Sequence, residues 1–191
     1  MISNKSKVKE FKRFHEKSKI NLGFLSIIYI SIIVLLIISV LTKFSISFIL
    51  FLGLLGLIIN YHTNMLTIRI VLGIEVFFSL LVTKLYGIPA GFFVLALTSF
   101  IPDIYTARFD KDTILSLFFT SIMILVMKFL GSTNFVFLGL TLVVLKFIIG
   151  IVILVIFEMD PREIIFEWGT NFAVNLFLFI SFGAPLISYF S

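Results

Sequence analysis

The chain has 191 residues, of which 60% are hydrophobic and 13% are charged, about half the charged fraction of a typical soluble domain. It carries a net charge of +5 and no cysteine, which excludes disulfides, thiol chemistry and cysteine-bound metals. A surface this apolar is incompatible with a soluble monomer, and long apolar runs without apolar/polar alternation favour membrane helices over a β-barrel.

The excess positive charge lies at the start of the chain, which we interpret as a basic tail over residues 1–20. Residues 1–19 hold seven lysines or arginines and two glutamates, and the eight basic and eight acidic residues that follow cancel. Such a tail is typical of a cytoplasmic N-terminus and attracts anionic lipid headgroups. Because no basic fold follows it, we expect no nucleic-acid partner. The expected location is the cell membrane.

The remaining residues, 21–191, are predicted to form one all-α, polytopic transmembrane bundle. A helix of about 20 apolar residues crosses the hydrocarbon core. Whether six or seven helices span stays open, because the second run is short and rich in glycine and is followed by a polar cluster at 60–64 that we expect to be a loop. The predicted helices are 21–42, 45–59, 67–84, 88–104, 113–130, 134–157 and 164–190.

Two opposite charges, Glu75 and Lys146, fall near the middle of predicted helices. Each costs about 2.5–3.5 kcal/mol at the centre of a bilayer. The pattern therefore indicates that the two side chains pair with each other or face a polar cavity. They form either a substrate or ion site or a buried ion pair that fixes the bundle, unless Lys146 extends to an interface.

The last predicted helix carries Glu163, Glu167, Asn171 and Asn175 at intervals of four residues. This spacing puts them on one face, which we expect to point into the bundle, where the amides line a ligand site or hydrogen-bond to neighbouring helices. Trp168 is expected to be an interfacial anchor. The candidate ligand-binding residues are therefore Glu75, Lys146, Glu167, Asn171 and Asn175.

Acidic residues also gather between the helices predicted at 88–104 and 113–130. Asp103, Asp110 and Asp112 are expected to lie in a solvated loop, with a divalent-ion site as the lesser alternative, and Asp112 is expected to be the N-cap of the next helix. The chain has no nucleophile motif, no zinc-protease motif and no phosphate-binding glycine loop. We therefore predict no catalytic residue, no bound metal and no cofactor, and a protein that is not an enzyme.

Three short stretches form a further pattern: Ile-Val-Leu-Gly-Ile-Glu-Val at 70–76, Tyr-Gly-Ile-Pro-Ala-Gly-Phe at 86–92 followed by Pro-Asp at 102–103, and Thr-Asn-Phe-Ala-Val-Asn-Leu at 170–176. Over about residues 67–190 the chain thereby resembles MreD-like membrane proteins and the substrate-binding S components of energy-coupling-factor transporters. The resemblance implies a six-helix core with 21–42 as an added helix, a small molecule bound between helices, and energy from partner subunits or a gradient.

These features lead to three hypotheses. The first is a multi-pass, S-component-like transport subunit for a small molecule. The second is an MreD-like structural or scaffold subunit, in which the same polar residues only hold helices together. The third is an integral membrane enzyme. The expected partners are membrane lipids, an energising or scaffold subunit in the membrane, and a small-molecule ligand.

Overall fold

A computed structural model describes residues 22–66, 71–130, 134–158 and 161–190. The predicted basic tail at 1–20 lies outside these residues. The side chains of 22–25 and 161–165 are likewise not described.

The described residues form seven helices and contain no β-strand, which confirms the prediction of an all-α helical bundle. The last helix runs through a short π-helical segment, Phe179–Gly183, into a final α-helical segment, Ala184–Phe190. The helices are α1 (Leu22–Thr42), α2 (Ser45–Asn64), α3 (Ile74–Tyr86), α4 (Ile88–Tyr105), α5 (Lys111–Phe129), α6 (Phe135–Ile156) and α7 (from Pro161–Leu178 to Ala184–Phe190).

Five of the described helices are long and apolar enough to cross a membrane: α2, α4, α5, α6, and α7 over Phe166–Phe190. Judged by the same length and apolar composition, the described part of α1 is a shorter apolar helix, Ser26–Thr42. With 13 residues, α3 is only about 20 Å long, which is less than the roughly 30 Å of a bilayer core. The chain therefore has the character of a multi-pass membrane protein with one short inner helix.

The first helix, α1, lies at the edge of the bundle. Its apolar side chains are largely exposed, with 62% of Ile30 and 77% of Leu41 accessible, as expected of a lipid-facing surface. Its inner side is tied to α2 by a hydrogen bond from Ser39 Oγ to Ser47 Oγ of 3.2 Å. The Tyr189 hydroxyl donates to the Val40 carbonyl at 2.7 Å, which joins α1 to the end of α7.

The third helix begins at Ile74, so the helix predicted over 67–84 is wrong at its start. Gly73 precedes it with φ of 67°, a left-handed conformation that favours glycine. A Cβ on Gly73 would overlap the side chain of Asn171, and Asn175 Nδ2 donates to the Gly73 carbonyl at 2.9 Å. The close approach of α7 therefore fixes where α3 begins.

The second helix extends through Asn64, so the loop predicted at 60–64 is wrong. Asn60 and Asn64 face α4, whereas His62 is exposed and hydrogen-bonds to Tyr29 of α1. Asn60 Nδ2 donates to the Thr98 carbonyl at 2.5 Å, and Asn64 Nδ2 donates to Asp103 Oδ1 at 2.7 Å. Polar side chains in a membrane helix are accommodated when neighbouring helices supply their hydrogen-bond partners.

Local backbone chemistry explains why α4 can accept the bond from Asn60. The middle of α4 is a π-helical segment, Ala96–Phe100, in which the Ile101 amide bonds to the Ala96 carbonyl. Pro102 follows directly, and because proline has no N–H it cannot bond to a carbonyl one turn earlier. The Thr98 carbonyl thus stays available to Asn60.

An aromatic cluster, which we call the aromatic seal, closes the half of the bundle where α6 begins. It consists of Phe77, Phe135 and Phe179, whose ring centroids lie 5.0 to 6.3 Å apart. Phe179 is fully buried and packs against Gly139, where a Cβ would overlap its ring. This half of the bundle is therefore packed and apolar.

Candidate functional site

A polar cavity lies beside the start of α3, in the other half of the bundle from the aromatic seal. It sits where α2 and α4 end, where α5 and α7 begin, and beside the start of α3. The space open to the centres of water molecules is about 40 Å³, which is room for about three waters. Its polar walls are the carboxylates Glu75, Asp103, Asp112 and Glu167, the amides Asn60, Asn64 and Asn171, and the hydroxyls Thr63, Ser99, Thr113 and Ser116.

The four carboxylates come from four helices, α3, α4, α5 and α7. Glu75, Asp112 and Glu167 are only 3 to 6% exposed, whereas Asp103 is half-buried. Acidic side chains within membrane segments are expensive and face the interior or a water-filled cavity. No group of three or more histidine, aspartate or glutamate side chains among the described residues could hold a metal ion. The carboxylates therefore share a cavity without forming a metal centre.

Glu75 lies in the first turn of α3, where a carboxylate interacts favourably with the positive end of the helix. Its one hydrogen bond among the described residues is weak: Asn60 Nδ2 donates to Oε2 at 3.5 Å. The other oxygen, Oε1, has no hydrogen-bond partner in the part of the chain that the structure describes. The carboxylate is thus buried, aimed into the polar cavity and only lightly held.

Lys146 lies in the middle of α6 and is 5% exposed. Its ammonium donates to Ser116 Oγ at 2.9 Å and to Thr120 Oγ1 at 3.4 Å, and it lies 5.7 Å from the centroid of the Trp168 ring. It interacts electrostatically with Glu75, but the two side chains make no direct ion pair. Of the two sequence-based alternatives, facing a polar cavity holds for Glu75, whereas Lys146 is hydrogen-bonded to two hydroxyls of α5.

A second, smaller space lies beside Lys146. It has a volume of about 10 Å³ by the same measure and shares Trp168 and Asn171 with the wall of the polar cavity. Since Ser116 lines the polar cavity and accepts the hydrogen bond from Lys146, the lysine is connected to that cavity through one hydroxyl. Lys146 therefore stands behind the wall of the cavity and is not part of the wall itself.

The polar stripe of α7 divides into two parts. Glu167 and Asn171 line the polar cavity. Asn175 is fully buried and does not line it: its Nδ2 donates to the Gly73 carbonyl and lies 2.9 to 3.0 Å from both the carbonyl and the side-chain oxygen of Asn171. Asn175 therefore joins α7 to the start of α3. The side chain of Glu163 lies outside the described ones.

Trp168 does not face lipid, so its prediction as an interfacial anchor is wrong. The indole is 7% exposed and packs between α5, α6 and α7. A Cβ on Gly150 of α6 would overlap its ring, and the ring centroid of Phe119 lies 6.5 Å away. The absence of a side chain at Gly150 makes room for the indole inside the bundle.

The acidic residues between α4 and α5 also differ from the prediction of a solvated loop. Asp103 and Asp112 line the polar cavity, whereas Asp110 is exposed. The N-cap of α5 is Asp110, whose Oδ1 accepts from the Thr113 amide at 3.1 Å, so the assignment of Asp112 as the cap is wrong. Asp112 is the second residue of α5, and its side chain is buried against the cavity.

Four residues of the cavity wall were not predicted from the sequence: Asn60, Asn64, Ser99 and Ser116. A usable signal existed in α2, where the two asparagines are four residues apart and share a helix face. Serines carry a weaker signal, because a hydroxyl in a membrane helix often bonds to its own helix backbone. Their role depends on which helices pack together.

Comparison with protein-family models, with characterised proteins and with solved structures finds no match to this chain. The fold and the site therefore define the class: a multi-pass helical membrane protein with an acid-lined polar cavity at one end of its bundle.

Proposed function

We propose that the protein is a non-enzymatic membrane transport component that binds a small polar solute in the polar cavity. The observation that carries the proposal is the cavity itself, in which carboxylates, amides and hydroxyls from five helices meet inside an apolar bundle. Burying such groups is unfavourable unless they are paired or meet a polar occupant. A solute site accounts for their concentration in one place.

The contrast between the two ends of the bundle supports transport over a purely structural role. The cavity walls include half-buried residues at the end of α2, such as Thr63 and Asn64. Toward the other end the aromatic seal closes the bundle. Alternating access needs a site that is closed toward one side while it is reached from the other. We propose that the reachable side is cytoplasmic, in keeping with the basic tail.

Interrupted helices lie next to both the cavity and the seal. α3 starts inside the bundle at Ile74, just after Gly73. The π-helical segment of α4 includes the cavity residue Ser99, and that of α7 includes Phe179. Discontinuous helices form the binding sites of many transporters, and π-helical segments recur at functional sites. These interruptions supply the places where the helices could bend between two states.

Energy for transport is proposed to come from a partner subunit or an ion gradient, because the sequence has no phosphate-binding glycine loop. The proposed architecture is S-component-like, in a cell membrane. The lipid-facing side of α1 is apolar and continuous, with Ile33 and Ile37 among its exposed residues. A membrane-embedded partner could pack there without disturbing the cavity.

A scaffold subunit of the MreD-like kind is the second candidate, and a specific observation favours it. Asn175 donates a hydrogen bond to the Gly73 carbonyl, and Lys146 donates to the hydroxyls of Ser116 and Thr120. These two polar residues therefore join helices to one another. If all the polar residues had this role, the cavity would be a by-product of packing.

A ligand panel separates the two candidates. Thermal unfolding of the purified protein in detergent is measured with small anionic, neutral and cationic solutes. A bound solute at about 100 times its Kd stabilises by about 2.7 kcal/mol. We expect at least one solute to raise the unfolding temperature of the wild type, and the effect to vanish in Glu75→Gln and Asn171→Ala.

The matched control is Glu158→Gln, since Glu158 is exposed and outside the cavity. It should keep the full ligand response. If no solute stabilises the wild type, and the cavity variants merely unfold at lower temperature, the scaffold role replaces the transport role.

A further inference from the structure

We infer that the solute is a small ammonium-type cation and that Glu75 is its anionic ligand. This inference rests on the proposed function and assigns the substrate class of the same cavity. It follows from the state of the Glu75 carboxylate, from the position of Lys146, and from the size of the cavity.

The Glu75 carboxylate is buried yet poorly satisfied. It is 97% buried, and its one hydrogen bond among the described residues is the 3.5 Å contact with Asn60. Asn60 itself donates to the Thr98 carbonyl at the much shorter distance of 2.5 Å. A carboxylate that has left water normally gains several strong hydrogen bonds or a cation in contact. A ligand that donates N–H groups would supply the strong hydrogen bonds that the described residues do not make to this carboxylate.

Lys146, which interacts electrostatically with Glu75, does not meet this need. The Lys146 ammonium is hydrogen-bonded to Ser116 and Thr120 and acts on Glu75 only through the electrostatic field. Because Lys146 stands behind the cavity wall, it leaves the space in front of the carboxylate open. A cation in that space would make direct contact with Glu75.

The chemistry and size of the cavity favour an ammonium group over a divalent metal. Ca²⁺ and Mg²⁺ take six or more oxygen ligands, and no group of three or more histidine, aspartate or glutamate side chains in the described part of the chain could hold a metal ion. The volume of about 40 Å³ holds about three water-sized groups. The Trp168 ring, which already attracts the Lys146 ammonium, also borders the cavity. Methylammonium and ethylammonium fit these limits.

The test measures thermal unfolding of the full chain in detergent at constant ionic strength. The probes are methylammonium, the bulky tetraethylammonium, Mg²⁺, neutral formamide and anionic formate. We expect saturable stabilisation by methylammonium alone. Its affinity should fall about tenfold or more in Glu75→Gln, through the loss of a hydrogen bond to a charged group, and stay unchanged in Glu158→Gln.

A second measurement needs no variant. Dicyclohexylcarbodiimide reacts with carboxyl groups in apolar surroundings, and the modified residue is located by mass spectrometry. We expect modification at Glu75 and its suppression by methylammonium but not by formamide. If saturating methylammonium does not slow the modification of Glu75, the inference is overturned. This result uses only the wild-type protein, so it stands even if the Glu75→Gln protein does not fold.

The outcomes also separate this inference from the proposed function. Saturable stabilisation by formamide or formate, without an effect of methylammonium, overturns the cation assignment and leaves solute binding in place. Stabilisation by Mg²⁺ through Glu75 overturns the ammonium assignment in the same way. If no probe and no member of the wider solute panel binds, both proposals fail.

Discussion

At the scale of single residues, Gly73 organises the site. Its left-handed backbone ends the segment before α3, its carbonyl receives the Asn175 amide, and its missing side chain admits Asn171. Asn171 in turn lines the polar cavity. One glycine therefore sets the start of α3, the position of Glu75 two residues later and the approach of α7.

Substitution of Gly73 by alanine tests this role. A side chain in the left-handed conformation costs about 1–2 kcal/mol, and overlap with Asn171 adds about 1–3 kcal/mol. We expect Gly73→Ala to lower the free energy of unfolding by about 2–5 kcal/mol, measured by denaturation in mixed detergent micelles.

The matched control is Gly169→Ala in the middle of α7, where an added Cβ meets no atom within 4 Å. Alanine has the higher helix propensity, so this variant should be neutral or more stable by up to about 1 kcal/mol. Equal effects of the two substitutions would show that Gly73 has no special role.

Glu75 and Lys146 mark the limit of inference from sequence at this scale. Their burial was predictable, because charges in long apolar runs are conspicuous. Their partners were not, since Ser116 and Thr120 are hydroxyl residues that usually bond to their own helix, as Thr120 does to the Ser116 carbonyl at 2.7 Å. Hydropathy gives depth along a helix but not the rotation of one helix against another.

At the scale of helices, the sequence predicted most boundaries to within a few residues. The helices expected at 88–104, 113–130 and 134–157 are Ile88–Tyr105, Lys111–Phe129 and Phe135–Ile156, because turn residues and polar loops bound them locally. The two errors, the start of α3 and the end of α2, both adjoin the cavity. There, tertiary contacts with α7 and α4 override the local pattern.

The aromatic seal allows a prediction about α7. Phe179 is fully buried against Phe77 and Phe135, whereas Phe177, two residues earlier, is 60% exposed. Removal of a buried phenylalanine costs about 3–5 kcal/mol through lost contacts and the cavity left behind. We expect Phe179→Ala to destabilise the protein by about 3 kcal/mol in micelle denaturation.

Phe177→Ala is the control on the same helix, and it should change stability by less than about 0.5 kcal/mol. If Phe177→Ala lowers the free energy of unfolding as much as Phe179→Ala does, the face of α7 that carries Phe179 does not form the packed interior.

At the scale of the whole molecule, the chain combines a packed apolar half with a polar half. The helical membrane bundle followed from composition and periodicity alone. The cavity did not, because its walls come from positions as far apart as Asn60 and Asn171 and depend on which helices are neighbours. Of the five candidate residues, Glu75, Glu167 and Asn171 line the cavity, Lys146 lies behind it, and Asn175 supports the start of α3.

The absence of cysteine from the chain makes the central claim, a solvent-connected and cation-attracting cavity, directly measurable by thiol labelling. Ser99 and Ser79 are both buried, but only Ser99 lines the cavity. Single variants Ser99→Cys and Ser79→Cys are treated in detergent with the small reagents 2-bromoethylamine, which is cationic, or iodoacetate, which is anionic. The rate of modification, relative to the rate of free cysteine with the same reagent, is followed by mass spectrometry.

We expect Ser99→Cys to react with both reagents, about tenfold faster with the cationic one because the acidic walls concentrate cations, and Ser79→Cys to react with neither. Equal resistance of both cysteines would contradict a solvent-connected cavity, and faster reaction of Ser99→Cys with the anionic reagent would contradict its preference for cations.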